Sequence, residues 1–281
     1  MIKSKQPFRN KQFTFRSYVN YFADPDPLDF DHEHDASGDG ISDADTYRLS
    51  SDPLIDGRAH PLRKDVFVEV DWMEGHKMES DVKWIMGTRF YNNPTGEKIW
   101  LHIDDGKMGG GEEIDEFIPE VYSSSSVHTD LKDIKTDYFD EGREGIFHYA
   151  LFGHYALTSD GERHLGVASS TGILVGDEYL DDFYTKRKIL RSTFGLSGSI
   201  IDDIIGDFIV SDDKAIRQGG VFMHELGHSL GLPHPTPQNP FLPEGFGPLE
   251  KHTCMNYWYI LGMVRYTNEE WNNLDFSNRL G

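Results

Sequence analysis

Residues 221–235, VFMHELGHSLGLPHP, constrain this chain more than any other stretch. His224 and His228 are four positions apart, so on an α-helix their side chains lie one above the other on one face. Gly231 follows three residues after His228, and glycine takes the left-handed turn that ends a helix at little cost. Pro233 opposes helical continuation. His234 can then return toward the two helical imidazoles from outside the helix. Three neutral imidazoles meeting at one point make a site that suits one zinc ion and leave a fourth position open. Glu225 is one residue round from His224, placed to reach a water at that position rather than the ion itself, which is the place of a general base. The competing reading is a buried helix with ordinary core histidines. It requires the spacing, the breaking glycine and the third histidine to coincide without cause.

The string HELGHSLGLPH resembles the extended zinc-binding consensus of the metzincin metallopeptidases. That resemblance implies a downstream Met-turn, and Cys254-Met255-Asn256-Tyr257 is similar to one, with Met255 as its methionine. It also implies that Tyr257 either ligates zinc or stabilises the transition state; a packed aromatic beside the turn is the equal alternative. His234-Pro235 and Met-x-Tyr look more like the serralysin and astacin side of the clan than the matrixin side, although the serralysin glycine-rich calcium repeats are missing. The resemblance extends over residues 63–281 through KDVFVEVDWM and LHIDDG, and it is strong at 222–234 and 254–257. The implied activity is peptide-bond hydrolysis by metal-activated water, with Glu225 as general base and a protein or peptide as substrate.

The rest of the chain reads as an α/β layered domain with a mostly parallel sheet, and the resemblance implies a metzincin-like division into two subdomains. In KDVFVEVDWM, Val66, Val68 and Val70 alternate with Phe67, Glu69 and Asp71, the pattern of a strand near the middle of a sheet. SDVKWIMGTRFYNN carries Val82, Ile85, Met86 and Phe90 at helical spacing, with Ser80 as N-cap and Asn92-Asn93-Pro94 as stop. KIWLHID, GIFHYALFGHYAL and GVASSTGILV read as strands, and Thr267–Glu270 as a capping box with Trp271 and Leu274 packing inward. The expected organisation is an N-terminal segment, 1–62, and a catalytic domain, 63–281, divided into an upper part, 63–234, and a lower part, 235–281. The resemblance further implies that Gly166–Val175 is the substrate rim, with an ordinary sheet strand as the alternative.

Charge divides the same way. Residues 1–22 carry five basic groups and no acid, whereas residues 23–62 carry eleven acids against Arg48 and Arg58. The net charge of −21 opposes a general nucleic-acid binder and adsorption to anionic membranes. Within the acidic segment, Asp35, Ser37, Asp39, Ile41 through its carbonyl, and Asp43 occupy positions 1, 3, 5, 7 and 9 of a loop with Gly40 at position 6. This resembles the start of an EF-hand or thrombospondin type-3 calcium loop and predicts a structural Ca²⁺. It departs at position 12, which is Thr46 where the pattern has Glu. A solvated acidic linker is the alternative. Further acids around Gly109–Gly111 (Asp104, Asp105, Glu112, Glu113, Asp115, Glu116) are a weaker calcium candidate. His102 and Asp104 with His148, His154 or His164 are a weaker candidate for a second metal site.

One cysteine, Cys254, excludes an intramolecular disulfide. No stretch of about 18 apolar residues suggests a membrane span. No signal peptide is visible in MIKSKQPFRNKQFTF; a secreted, extracellular location is the expectation, with the cytoplasm as alternative. The competing function is a calcium-binding adhesion or interaction module with a vestigial zinc site, and an intact Glu225 opposes it. Oligomeric state is not legible.

Overall fold

Lys64–Met73, β1, is the strand around which the other elements are arranged. In the computed structural model, which describes residues 34–55, 58–193, 211–237, 245–248 and 250–277, every residue of β1 after Lys64 is buried. The period-two pattern sorts them. Val66, Val68, Val70 and Trp72 enter one apolar cluster, while Phe67 and Met73 enter a second on the opposite face. A strand covered on both faces belongs inside a layered α/β fold.

The main sheet runs β2-β1-β5-β9-β8, with β3 also pairing to β1. Here β2 is Ile99–Asp104, β3 Glu113–Ile114, β5 Phe147–Gly153, β8 Gly166–Ser169 and β9 Gly172–Gly176. β1 pairs in parallel with β2, β3 and β5, and β5 in parallel with β9. β8 alone runs antiparallel, closing a hairpin with β9 at the sheet edge. A smaller sheet joins β4 (Glu120–Tyr122), β6 (Tyr155–Leu157) and β7 (Arg163–His164). The α/β class with a mostly parallel sheet is therefore observed. Among the described residues no helix is long and apolar enough to cross a membrane.

Helices cover both faces. On the valine side of β1 lie α2 (Ser80–Tyr91), through Val82, Met86 and Phe90, and the long helix Lys214–Ser229, through Val221, Phe222 and Leu226. Cys254, Met255, Leu261 and Trp271 complete that cluster. Burying one such side chain contributes roughly 1.5–3 kcal/mol. On the other side, Leu49 of α1 (Asp43–Ser50) and Leu131 and Ile134 of α3 (Leu131–Tyr138) pack with Ile41, Ile55, Phe147 and Tyr149. Residues 34–55 thus share a core with the sheet, and the change of texture near residue 62 does not end the packing. The basic residues 1–22 and the acids at 24–33 lie outside the described residues.

The acidic residues of β1 are also buried. Arg143 pairs with Glu69 and with Asp104, each at 2.8 Å. Tyr149 Oη donates to Asp71 at 2.8 Å. Asp65 takes Arg63 and His102.

Three local readings need correction. Glu79, not Ser80, is the N-cap of α2; it makes no side-chain cap bond, and Ser80 is the first helical residue. Residues 166–175 form two strands rather than one, because Ser170 and Thr171 make the turn of the β8–β9 hairpin. Residues 145–157 likewise divide at His154 into β5 and β6, which belong to different sheets. The capping box at Thr267 is present, opening helix Asn268–Asn273.

Candidate metal centre

The helix Lys214–Ser229, α5 in chain order after α4 (Asp177–Thr193), starts where the Asp213 carboxylate accepts the Ala215 N–H at 2.9 Å. It ends in a Schellman turn: Gly231 sits at φ +86°, Leu232 N–H reaches Gly227 O at 2.8 Å and Gly231 N–H reaches His228 O at 3.0 Å. The glycine sends the chain back across the helix end, as its spacing predicts. His234 arrives beside the two helical histidines.

The three imidazoles converge through the same atom. His228 Nε2 is 3.0 Å from His224 Nε2 and 3.0 Å from His234 Nε2, and the His224–His234 separation is 3.2 Å. Nitrogens bound tetrahedrally to one zinc at the usual bond length stand about 3.3 Å apart. The donor set therefore fits a single Zn²⁺. Backbone carbonyls orient two of the rings. His224 Nδ1 donates to Cys254 O at 2.8 Å, and His228 Nδ1 donates to Leu232 O at 2.7 Å. With the proton on Nδ1, each Nε2 presents its lone pair to the common point, the outer-shell arrangement expected behind metal ligands. Burial, with the neighbouring imidazoles, holds His224 well below the ordinary histidine pKa and His234 down to about 4.

Glu225 is 4 % exposed and lies between α5 and the edge strand. Burial pushes its carboxyl up to about 8, while a hydrogen bond from the Ala168 backbone opposes the rise. A Cβ placed on Gly166 would come within 2.7 Å of Glu225 Oε1. β8 therefore runs directly over this carboxylate because residue 166 has no side chain.

Met255 is fully buried. A Cβ on Gly227 would lie 2.7 Å from its sulfur, so the helix backbone rests on the methionine. Tyr257 packs its ring 4.9 Å from that of His234 and 5.4 Å from that of His224, centroid to centroid. Tyr266 donates from its hydroxyl to Met223 O, tying the segment after the turn to α5.

The other predicted sites fare differently. Asp35 Oδ1 accepts the Ser37 hydroxyl and the Gly38 and Asp39 amides, and its Oδ2 accepts Gly40 N–H at 2.7 Å. Gly38 and Gly40 take positive φ, as the bend requires. Asp39 is buried and accepts from Ile41 N–H and Asp65 N–H, joining the loop to β1. Asp43 accepts Ala36 N–H and meets His34. Asp104 accepts the amides of Gly106, Met108 and Gly110 besides Arg143, and Asp105 pairs with Lys83, so these acids near the triple glycine serve the fold. His102 is stacked on Phe67 and bonded to Asp65. Among the described residues it joins no metal-capable group with His148, His154 or His164, and His154 instead meets His76 and Glu178. Nothing in the sequence pattern links those three, which come from the chain after β1, the junction of β5 and β6, and the first turn of α4. Gly166, Gly227 and the two carbonyl acceptors were equally illegible, since backbone atoms and missing side chains leave no motif.

Comparison of the chain with protein-family models, with curated proteins and with solved structures gave no match.

Proposed function

We propose that this chain is a zinc-dependent metalloendopeptidase of the metzincin type, acting on proteins or peptides. One observation carries the reading: three Nε2 atoms lie 3.0–3.2 Å apart, with the buried carboxylate of Glu225 on the same helix, next to an edge strand. His224, His228 and His234 would hold Zn²⁺, which when bound supplies a Lewis acid for the scissile carbonyl and for water. Glu225 takes the proton of the attacking water and passes it to the leaving amine. β8 pairs only with β9 among the described residues, so its other edge can take an extended substrate by backbone hydrogen bonds. Tyr257, whose ring packs against those of His224 and His234, would stabilise charge on the carbonyl oxygen.

Replacing Glu225 by Gln keeps the side-chain volume and removes the base. The expected result is unchanged zinc content and a loss of about 10²–10⁴-fold in cleavage of a peptide blocked at both ends. Cleavage at the parental rate overturns the mechanism, and cleavage confined to peptides with free termini overturns the endopeptidase assignment. A structural Ca²⁺ at Asp35, Ser37, Asp39, the Ile41 carbonyl and Asp43 is the companion proposal, supported by the bend at Gly38 and Gly40.

A further inference from the structure

β1, β5 and β9 are neighbours in the sheet and run parallel, so their carboxyl ends open on the same side. Just beyond those ends the chain delivers His76, His154 and the pair Asp177-Glu178 respectively. The crevice beyond the carboxyl ends of parallel strands is where α/β sheets gather ligands. Here it gathers donors: His76 Nε2 is 2.8 Å from His154 Nδ1, which is 2.7 Å from Glu178 Oε2. One donor atom from each residue lies within 4.8 Å of the other two.

The hydrogen bonds behind His76 suit a metal ligand. His76 Nδ1 is 3.1 Å from Asp177 Oδ2. Asp177 is wholly buried and fixed by Lys214 Nζ at 2.9 Å and Gln218 Nε2 at 2.7 Å. A carboxylate held this way keeps the proton on His76 Nδ1 and turns the Nε2 lone pair inward, the backing found behind metal-ligating histidines. The two imidazoles are mostly buried, while Glu178 keeps an exposed side. The recess beside His154 is lined by Glu74, Asp115, Glu116 and the ring of Phe117. Its carboxylates attract cations.

We infer that His76, His154 and Glu178 hold a second zinc ion, distinct from the one proposed at His224, His228 and His234. Two imidazoles and a carboxylate are a zinc donor set that leaves one position for water. Lys214 and Gln218, which fix Asp177, are on α5, so the ion braces the amino end of the helix that carries His224 and His228. The inference stands whether or not the chain is a peptidase.

Zinc counted by mass spectrometry on the full chain, after loading and removal of free metal, decides it. The expected count is two for wild type, one for the His224→Ala/His228→Ala variant, one for His76→Ala/His154→Ala, and none for the fourfold variant. Added Zn²⁺ should raise the Tm of His224→Ala/His228→Ala and leave that of the fourfold variant in place. If His76→Ala/His154→Ala fails to fold, the count on folded His224→Ala/His228→Ala carries the test alone, because it leaves the new site intact. A count of zero there overturns the inference, as does an unchanged count in His76→Ala/His154→Ala. A wild-type count of one that survives loss of His224 and His228 upholds this site and removes the first.

Discussion

One methyl group at Gly166 tests the placement of Glu225. A Cβ there would lie 2.7 Å from Glu225 Oε1, and 2.8 Å from both Glu225 Cγ and Val221 Cγ1. Non-bonded carbons settle at about 3.5–4.0 Å, so the overlap approaches roughly 1 Å on three atoms at once. Val221 is fully buried and has no room to retreat. β8 is tied to β9 by the register Gly166↔Val175, so the strand resists moving away. The Glu225 side chain is the part that rotates. Displacing a catalytic group by about 1 Å costs on the order of 10²-fold in rate, whereas overpacking costs about 1–3 kcal/mol of stability. Gly166→Ala should therefore lower kcat/KM on a blocked fluorogenic peptide by about 100-fold while keeping its zinc and its fold. Gly87→Ala is the control: nothing lies within 4 Å of its Cβ, and in the middle of α2 it should stabilise by about 1 kcal/mol. Parental kcat/KM for Gly166→Ala beside an inactive Glu225→Ala would refute the argument that β8 presses on the general base.

Two further outcomes concern stability. Burial, only partly offset by Arg143 and reinforced by Asp140 and Asp71, raises Glu69 from 4.5 to about 8. A carboxyl raised on folding contributes stability that is complete below its unfolded pKa and lost as pH rises through the folded one. The urea midpoint of the wild type should carry a component that falls between about pH 4.5 and 8, and Glu69→Gln should flatten it; parallel curves for the two proteins would refute this. Asp35→Ala strips the acceptor from the Ser37 hydroxyl and three amides and should cost about 1–3 kcal/mol, or roughly 2–8 °C in Tm. Ca²⁺ should raise the Tm of the wild type and not of Asp35→Ala; no response in either removes the calcium site.

Side-chain periodicity made the sheet and its helices legible, and side-chain spacing did the same for the meeting of His224, His228 and His234. Alternation placed β1, and the breaking glycine after His228 placed the return of His234, because both are local consequences of backbone geometry. What spacing cannot carry is contact between distant loops. The split of 145–157 at His154 illustrates this. The run is mostly apolar, yet Gly153 ends β5, His154 turns toward His76, and Tyr155 opens a strand of another sheet. Asp39 is a second case: its loop pattern points to a cation, while its burial and its bond from Asp65 N–H give it a role in holding the loop to β1 that only the tertiary structure displays.

The convergence of His224, His228 and His234 depends on α5 being held at both ends, by two different devices. At its carboxyl end the Schellman turn and the Cys254 carbonyl set the rings of His228 and His224 within hydrogen-bond tolerance. At its amino end Gln218 donates to Asp177 and accepts the Glu79 N–H, linking α5 to α4 and to the cap of α2 through one buried amide. Between these anchors Gly220 brings the helix so close to the Ile260 carbonyl that a Cβ would fall 1.9 Å from it, and at Gly227 a Cβ would fall 2.7 Å from the Met255 sulfur. A helix fixed at its ends and pressed against backbone in its middle has little freedom to slide or roll. The three imidazole nitrogens are thereby kept 3.0–3.2 Å apart around one point.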